Sequence, residues 1–457
     1  MKKRLLTILI GIIVLLSASC AAQPEEEFSM EFGTEFDSID MDGFKFGIMQ
    51  GYDETILFQY KADTLAFDLV KRRFNEIENK YNCKIEVESI ASDGGYLSSV
   101  VTRLMAGTYS GELAFSHQPY QITHSGVLYP LDPLVEYLDC FNAEKYGSLE
   151  MRGFSIDNNS VFTVSPVLWP GKQVSYAYAF FAVNEQIIKK NVLTDPREYV
   201  EGGTWYWDKF EEILPLYTIV EGDEKVTSVN FTWNFPLDFA ASNGYTYVDE
   251  TLSSNNLKSP AVAEALDFLS RICVEYRDNI TYDDHYTMVD NFIAQKYVLA
   301  QTSFAHMVNE IIFDVDDYGV VPVPCGPKGQ YGKWGGYVSD YDSFGIFYNA
   351  KEPEVSAMIL ADILEPLDGY ETKDDLFSYA KSIFYDDADA ELFLSYTDNI
   401  RYNFWNEGVY ANFNSMISMV KTGKSSSEII GKYETPLQTA IENNVLPDYK
   451  FIMANKK

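Results

Sequence analysis

Polar and aromatic side chains follow two predicted strands, at the positions where each strand gives way to a loop. The first loop contains Gln50, Tyr52, Asp53 and Glu54, and the second contains Ser116, His117 and Gln118. Carboxylates, amides and imidazoles can make paired hydrogen bonds to hydroxyl groups, while an aromatic ring can stack on an apolar C–H face. Sugars present both kinds of surface. The two loops are therefore candidate sites of ligand contact.

The motifs of common hydrolases and phosphate-binding enzymes are absent from the sequence. It has no HExxH, no GxSxG and no glycine-rich phosphate loop, and it has only four histidines in 457 residues. With 68 acidic residues, a pair at glycosidase separation would arise by chance in any fold. The segment 282–286, which includes His285, is interpreted as solvated surface rather than a metal site. We expect no catalytic residue, metal or cofactor, and a secreted carbohydrate-active enzyme or a glycan-binding surface module is the alternative.

The candidate loops are positioned by an alternation of strands and helices. Residues 44–50 form a predicted strand, and apolar residues from Leu65 to Tyr81 recur at spacings of three and four, as on one face of a helix. A strand over 84–90, a helix over 96–107 and a strand over 112–116 follow. Such an alternation predicts βαβ units and a mainly parallel sheet, whose ligands bind beyond the carboxyl ends of the strands. The predicted fold class is α/β.

The first 43 residues form two segments that precede the predicted fold. Residues 1–19 have a basic start, an apolar core of about a dozen residues and then small residues, which is the plan of a signal peptide. Residues 17–20, SASC, resemble the lipobox of bacterial lipoproteins, in which the cysteine carries the lipid. Residues 20–43 have no basic residue and predict an extended acidic tether. We expect a protein anchored through lipidated Cys20 to the extracellular face of the cell membrane, as in Gram-positive bacteria; secretion with an unmodified Cys20 is the alternative.

The composition argues against one class of partner and leaves the state of the thiols open. A formal net charge of −33, without a basic stripe, would repel the phosphates of a nucleic acid. Beyond Cys20 the chain has four cysteines, namely Cys83, Cys140, Cys273 and Cys325. In an exported chain this even number permits one or two disulfides, and free buried thiols are equally compatible with it.

Two separated motifs resemble a known family. A Val-Asn pair at 183–184 and an Asp-Pro pair at 195–196 are followed by residues 203–208, GTWYWD, which match a Gly-Thr-Trp-Thr-Trp-Asp run apart from Tyr206. Residues 318–329, YGVVPVPCGPKG, match a later Tyr-Gly-Val-Val-Pro-Val-Pro-x-Gly-Pro run. In these motifs the chain is similar to the family 1 extracellular solute-binding proteins of ABC importers, of the sugar-binding type. The two tryptophans of the first motif are predicted to pack in the core.

The resemblance implies a type II periplasmic-binding-protein-like fold, in which two α/β lobes close on a ligand in the cleft between them. The implied boundaries are 44–170 and 342–400 for lobe I, 175–340 and 403–450 for lobe II, and hinges near 168–178, 336–345 and 400–404. It also implies a monomer that delivers its ligand to a pair of ABC permease subunits and their ATPase.

The resemblance places further candidate contacts near the hinges and in later cleft loops. They have aromatic, amide or carboxylate side chains: Trp169, Phe304, Trp334, Tyr337, Asp340, Tyr341, Asp342, Asn403, Trp405 and Tyr410. Aromatic residues make up 15% of the chain, more than a core alone requires, which favours an oligosaccharide as the ligand. A polyamine, a peptide and a ferric complex are the alternatives, and the negative charge of the chain would favour a cation such as a polyamine.

Overall fold

The computed structural model describes residues 39–445, apart from a set of short gaps. The gaps are residues 53, 91–94, 110, 118, 148–153, 156–159, 173–179, 249–253, 312–313, 316, 335–336, 339–340, 398–400 and 403–406. The predicted signal peptide, Cys20 and the tether up to residue 38 lie outside the described residues. Within the described part of the chain, no helix is both long and apolar enough to cross a membrane.

Seventeen strands lie in the described residues. In chain order they are β1 (Phe44–Gln50), β2 (Ile56–Leu57), β3 (Tyr60–Lys61), β4 (Cys83–Ser89), β5 (Leu113–Ser116), β6 (Phe154–Ser155), β7 (Ser160–Val161), β8 (Thr163–Val164), β9 (Phe180–Asn184), β10 (Ile219–Glu221), β11 (Glu224–Asn230), β12 (Ile280–Thr281), β13 (Tyr297–Thr302), β14 (Tyr318–Pro322), β15 (Tyr337–Val338), β16 (Ser343–Ile346) and β17 (Arg401–Tyr402).

Sixteen α-helices accompany these strands in the same part of the chain. They are α1 (Leu65–Tyr81), α2 (Tyr96–Met105), α3 (Pro119–His124), α4 (Ala143–Tyr146), α5 (Glu185–Asn191), α6 (Pro196–Glu201), α7 (Trp207–Leu216), α8 (Phe235–Ser242), α9 (Pro260–Glu275), α10 (His285–Ile293), α11 (Phe304–His306), α12 (Pro353–Ile363), α13 (Lys373–Ile383), α14 (Asp387–Thr397), α15 (Glu407–Lys421) and α16 (Ser426–Ala440). A 3₁₀ turn covers Asp132–Leu134, and π-helical turns cover Met307–Ile311 and Ile441–Val445.

The strands form two main sheets, each with parallel strands at its centre. The first has the order β4-β1-β5-β16-β8, with β1 parallel to β4 and β5 and with β16 antiparallel to β5 and β8. The second has the order β10-β11-β13-β9-β14, with β12 beside β11. Here β11 runs parallel to β12 and β13, while β9 is antiparallel to both of its neighbours. The predicted βαβ start is confirmed, and the antiparallel strands show that both sheets are mixed.

Local sequence signals account for the helices that cover these sheets. Helix α1 begins after Thr64, whose side chain accepts a hydrogen bond from the N–H of Phe67, and it buries an apolar stripe that includes Phe74 and Ile77. The two motif tryptophans pack in the second core as predicted, since Trp205 is fully buried and Trp207 nearly so. The Trp205 indole N–H donates to the carbonyl of Pro322, which joins the two motifs directly.

Helices α13 and α14 lie with the second core, although residues 342–400 were assigned to lobe I. Tyr379, Phe393 and Tyr396 belong to the hydrophobic cluster around the second sheet, and the Tyr318 hydroxyl in β14 donates to the carbonyl of Ile383. From the later part of the chain, β16 and α12 supply the first core instead. The apolar stripes of these helices could cover either sheet, and their contacts with β14 decide the matter.

Two of the expected crossing segments meet in a small sheet of their own. Strand β15 pairs in parallel with β17, in the register Tyr337 to Arg401 and Val338 to Tyr402. Strand β15 leads from the second sheet towards β16 of the first, and β17 follows α14 of the second core. Strand β15 thus lies in the hinge expected near 336–345. The helices on either side of β17, α14 and α15, both pack in the second core, so the chain changes cores between α12 and α13 and not near 400–404 as expected.

The four cysteines beyond Cys20 are free thiols in the fold. All four are buried. Burial raises the pKa of Cys83, Cys273 and Cys325 to about 11, so these thiols are protonated at neutral pH. The sequence was compatible with disulfides or with free buried thiols, and the structure has free buried thiols at all four positions.

Gly171 lies where the two cores meet, and its replacement provides a test of that contact. Its φ of +74° is left-handed, and a Cβ at this position would overlap Cε1 of Phe304. We expect Gly171→Ala to lower the free energy of unfolding by about 2–4 kcal/mol, because left-handed backbone strain and overpacking add. Gly203→Ala is the control, since Gly203 has a φ of +70° with open space around it and should lose only about 1–2 kcal/mol. Urea unfolding measures both, and equal losses would contradict the contact.

Candidate functional site

The carboxyl edges of both sheets carry aromatic and imidazole side chains. In the first sheet, β1 leads into the loop with Tyr52, and β5 leads into His117. In the second, β12 leads to His285 at the start of α10, and β13 leads to His306 at the end of α11. Because the parallel strands of each sheet end on one side, each pair of residues shares an edge. We call these two groups the first and the second wall of the cleft.

The first wall is held by hydrogen bonds between three segments of the chain. The Tyr52 hydroxyl lies 3.2 Å from Nδ1 of His117, and the two rings are 6.1 Å apart. The carbonyl of His117 accepts a hydrogen bond of 3.0 Å from the N–H of Tyr341. Three residues that the sequence proposed as ligand contacts therefore lie together, from three segments of the chain. Glu54 is exposed in the same loop as Tyr52.

The second wall is a stack of rings. The imidazoles of His285 and His306 are 4.9 Å apart and nearly parallel, at 23°. The ring of Tyr286 lies 3.8 Å from that of His285 and is 58% exposed. Asp284 caps α10 by accepting the N–H of Thr287 at 3.0 Å, which fixes where the helix begins and presents its first residues at the sheet edge. An aromatic surface of this kind suits the face of a sugar ring.

Sequence reasoning missed the second wall because it interpreted residues 282–286 as solvated surface. The signal that could have located it is an Asp cap followed by two ring side chains directly after a short strand. Among the described residues, no group of three or more His, Cys, Asp or Glu side chains is arranged to hold a metal ion.

The two walls interact electrostatically. Burial, which is the larger cause, and the nearby imidazole of His285 together lower the pKa of His117 to about 4. His117 is therefore neutral at pH 7, and the imidazole that acts on it belongs to the second lobe. Three of the four histidines of the chain thus gather at one place.

The lowered pKa of His117 predicts a loss of stability in acid. The unfolded chain has a histidine pKa near ~6.5 and binds the proton first as the pH falls, so the stabilisation present above pH ~6.5 is lost between there and about pH 4. Denaturant unfolding between pH 7.5 and 4.5 measures this loss. In His117→Gln the dependence on pH over this interval should be weaker than in the wild type. Identical profiles would show that His117 titrates normally.

Three other sequence candidates are buried in structural hydrogen bonds. Gln50 accepts the N–H of Phe58 and donates to Ser89. The carbonyl of Ser116 accepts from the hydroxyl of Ser343, and Asp342 forms an ion pair. These groups support the cleft from behind, and we remove them from the candidate ligand contacts.

The proposed aromatic platforms at the hinges are covered by protein. Trp169 is fully buried in the first core, and Phe304 is stacked on Phe393 in the second at a centroid distance of 4.2 Å. Neither ring has a free face for a ligand, so both are removed from the candidate set. Trp334 is also buried and packs edge-on against Tyr331 at a centroid distance of 4.9 Å.

The remaining seven candidates concern side chains outside the described part of the chain. Asp53, Gln118, Asp340, Asn403 and Trp405 lie outside the described residues. Tyr337 is in β15 and Tyr410 is in α15, and only their backbones are described. All seven stay predictions.

A cavity of about 500 Å³ lies at the β14 edge of the second sheet, between α6, α14 and Trp334. Its wall includes Arg197, which forms ion pairs with Asp195 and, at 3.2 Å, with the buried Asp389. Burial raises the pKa of Asp389 to about 7, and Arg197 opposes that shift. Since Arg197 is already engaged by these carboxylates, we regard the cavity as a structural feature of the second lobe. Variants of its lining residues are therefore suitable controls for ligand binding.

Comparisons with known proteins identify the architecture. No protein-family profile matches the sequence, and no curated protein sequence matches it. Among solved structures, the GacH receptor of Streptomyces glaucescens is 11% identical with a TM-score of 0.58, over 88% of this chain and 99% of that one. An ABC substrate-binding protein from Listeria monocytogenes in complex with cycloalternan is 15% identical with a TM-score of 0.58, over 88% and 100%. The spermidine/putrescine ABC transporter substrate-binding protein PotD from Streptococcus pneumoniae is 12% identical with a TM-score of 0.50, over 83% and 99%.

These similarities extend over nearly the full length of each compared chain. At such identities they show the fold alone, and that fold is the two-lobed α/β architecture of periplasmic-binding-protein type. The fold class predicted from the sequence is confirmed.

Proposed function

We propose that the chain is the substrate-binding protein of an ABC importer and that it captures an oligosaccharide between its two lobes. The observation that carries the proposal is that ring side chains lie at the carboxyl edges of both sheets, Tyr52 and His117 on one lobe and His285 and Tyr286 on the other, and that His285 is near enough to act on the charge of His117. Rings supply stacking surfaces, and the hydroxyl and imidazole groups supply donors and acceptors for sugar hydroxyls. Neighbours of this fold that bind acarbose and cycloalternan support the same ligand class.

The carboxylates beside the second wall favour a neutral ligand over a polyamine. Asp283 accepts hydrogen bonds from Asn291, at 3.1 Å, and from Tyr297, while Asp284 caps α10. Both carboxylates are thus engaged by the protein itself. A polyamine would need carboxylates that are available to its ammonium groups, so the overall negative charge of the chain is a weaker guide than the cleft.

The proposal includes a site of action and a set of partners. Closure of the lobes about the crossing segments would trap the ligand, because contacts to both walls exist only in the closed form. A pair of permease subunits and an ATPase would then move the ligand across the membrane. Lipidated Cys20 and the acidic tether would hold the protein, as a monomer, on the extracellular face of the membrane. The ligand would leave the cleft chemically unchanged, since the proposed role is binding and not catalysis.

A thermal-shift screen tests the proposal. Purified protein is heated with maltose, maltotriose, cycloalternan, spermidine, a short peptide and ferric citrate. A ligand that binds only the folded state adds about 2.7 kcal/mol to its stability at a hundredfold excess over Kd. We expect a saturable shift with at least one sugar, which is recovered intact. A shift with spermidine or ferric citrate alone would overturn the oligosaccharide assignment, and consumption of a sugar would show that the chain is an enzyme.

A further inference from the structure

The turn between β2 and β3 has a strained backbone. Its two residues, Phe58 and Gln59, have φ angles of +48° and +67°. Two-residue hairpin turns with both residues in this left-handed region normally contain asparagine, aspartate or glycine. A bulky residue such as phenylalanine is rarely found there and is held in place only where surrounding contacts demand it. The contacts that hold this turn therefore indicate what it does.

On one side, the turn is joined to the first wall of the cleft. Gln50, the last residue of β1, accepts the N–H of Phe58 at 3.0 Å through Oε1. Its Nε2 donates to the carbonyl of Ile56 at 2.6 Å and to Ser89 at the end of β4 at 3.0 Å. Tyr52 lies two residues beyond Gln50 in the same loop. The position of the wall residue and the position of the turn are therefore set by one buried side chain.

On the other side, the turn is joined to two segments that cross between the lobes. Gln59 donates to Oδ1 of Asp342 at 2.6 Å, and Lys172 donates both to the carbonyl of Phe58 and, at 2.7 Å, to Oδ2 of Asp342. The Lys172 ammonium also lies 4.3 Å from the centre of the Tyr60 ring. Lys172 lies within the hinge expected near 168–178, and Asp342 lies within the one expected near 336–345, directly before β16.

These contacts cannot be separated without stranding charges in the interior. The side chains of Lys172 and Asp342 are 2% and 0% exposed. A buried charge that loses its partner is strongly unfavourable, so any rotation of the crossing segments has to carry the turn with it. Because Gln50 is hydrogen-bonded to this turn, the loop that contains Tyr52 would move with it as well.

We propose that the Phe58–Gln59 turn couples the first wall of the cleft to the crossing segments, so that contact with a ligand at Tyr52 biases lobe closure. This inference rests on the proposed function, since it assumes that the lobes close on a ligand. Gln59, Lys172 and Asp342 are positioning residues in this scheme. They are buried behind the wall and act on the ligand only through the loop and the hinge.

Hydrogen exchange of the ligand-free protein, followed by mass spectrometry, tests the coupling directly. Gln59→Met keeps the length of the side chain and removes the donor to Asp342, and Asp342→Asn removes the charge. Both variants should raise exchange at least tenfold in residues 54–61 and in residues 167–172 together. The matched control is Asp389→Asn, which removes a buried carboxylate paired with Arg197 in the second lobe and should raise exchange there only. An increase in exchange that is confined to the mutated segment would overturn the coupling. If Asp342→Asn fails to fold, the exchange of Gln59→Met alone decides the test.

Titration with maltotriose separates this inference from the proposed function. If the wild type binds the sugar, Gln59→Met should bind it at least tenfold more weakly, while Asp389→Asn binds it as the wild type does. Unchanged affinity in Gln59→Met would overturn the link to closure. If the wild type binds none of the sugars tested, the proposed function fails, and the exchange experiment still decides whether the turn and the crossing segments move as one unit.

Discussion

Replacing Lys172 by methionine is expected to lower the free energy of unfolding by about 3–5 kcal/mol, because it leaves Asp342 as an uncompensated buried charge. The ammonium and the carboxylate are 2.7 Å apart, and both side chains are almost fully inaccessible to solvent. Burial alone raises the pKa of Asp342 and lowers that of Lys172, so each charge depends on its partner. Unfolding in guanidinium chloride at pH 7 measures the loss.

Two further variants show whether burial is the reason. Lys172→Met combined with Asp342→Leu should recover at least half of the loss, since apolar groups of similar size can replace a buried ion pair. Lys45→Met breaks a pair with Glu86 at the same 2.7 Å distance, but with side chains 74% and 52% exposed, and should cost less than about 1 kcal/mol. If Lys172→Met and Lys45→Met cost the same, the pair near the hinge is not the buried clamp that we describe.

Trp169→Ala is expected to cost about 3–5 kcal/mol of stability, as is usual for the loss of a large buried ring. Trp169 is fully buried, and its indole N–H donates to the carbonyl of Glu365 at 3.2 Å. Its ring packs against Phe58 and Phe344, each at a centroid distance of 6.1 Å. Guanidinium chloride unfolding again supplies the measurement, and Trp169→Phe should retain part of the stability.

A different result for Trp169→Ala would contradict the burial of this ring in the first core. If Trp169→Ala unfolded at the same denaturant concentration as the wild type but no longer bound sugar, the ring would be a ligand platform and its burial in the first core would be wrong. We expect the folded fraction of the variant still to bind sugar, because the ring lies behind the wall and does not contact the ligand.

The structure shows why sequence reasoning found some site residues and misjudged others. Strands such as β1 and helices such as α1 have local periodicity, and the rule that ligands meet the carboxyl ends of parallel strands then leads to Tyr52 and His117. Whether a given tryptophan is a platform or a core residue depends on contacts from distant parts of the chain. Trp169 is covered by β16, which returns to the first sheet about 170 residues later in the sequence.

Contacts from distant parts of the chain also explain why the sequence did not predict the second wall or the place of α13 and α14. His285 becomes a cleft residue only because β12 aligns in parallel with β11. That pairing cannot be predicted from a strand of only two residues. Helices α13 and α14 have apolar faces that fit either core, and their place follows from their contacts with β14 of the second sheet. In both cases the missing information was which strands lie next to each other, rather than which residues form strands.

The most direct test of the account is calorimetric titration of the wild type and three variants with an oligosaccharide series that includes maltotriose. We predict saturable binding of at least one sugar by the wild type. Tyr52→Ala and His285→Ala should each lose affinity by tenfold or more, which is about 1.4 kcal/mol. Trp334→Ala alters the cavity at β14 and should keep the wild-type affinity. Loss of binding in Trp334→Ala with retention in the other two would place the site outside the cleft, and a wild type that binds no oligosaccharide would contradict the proposed function.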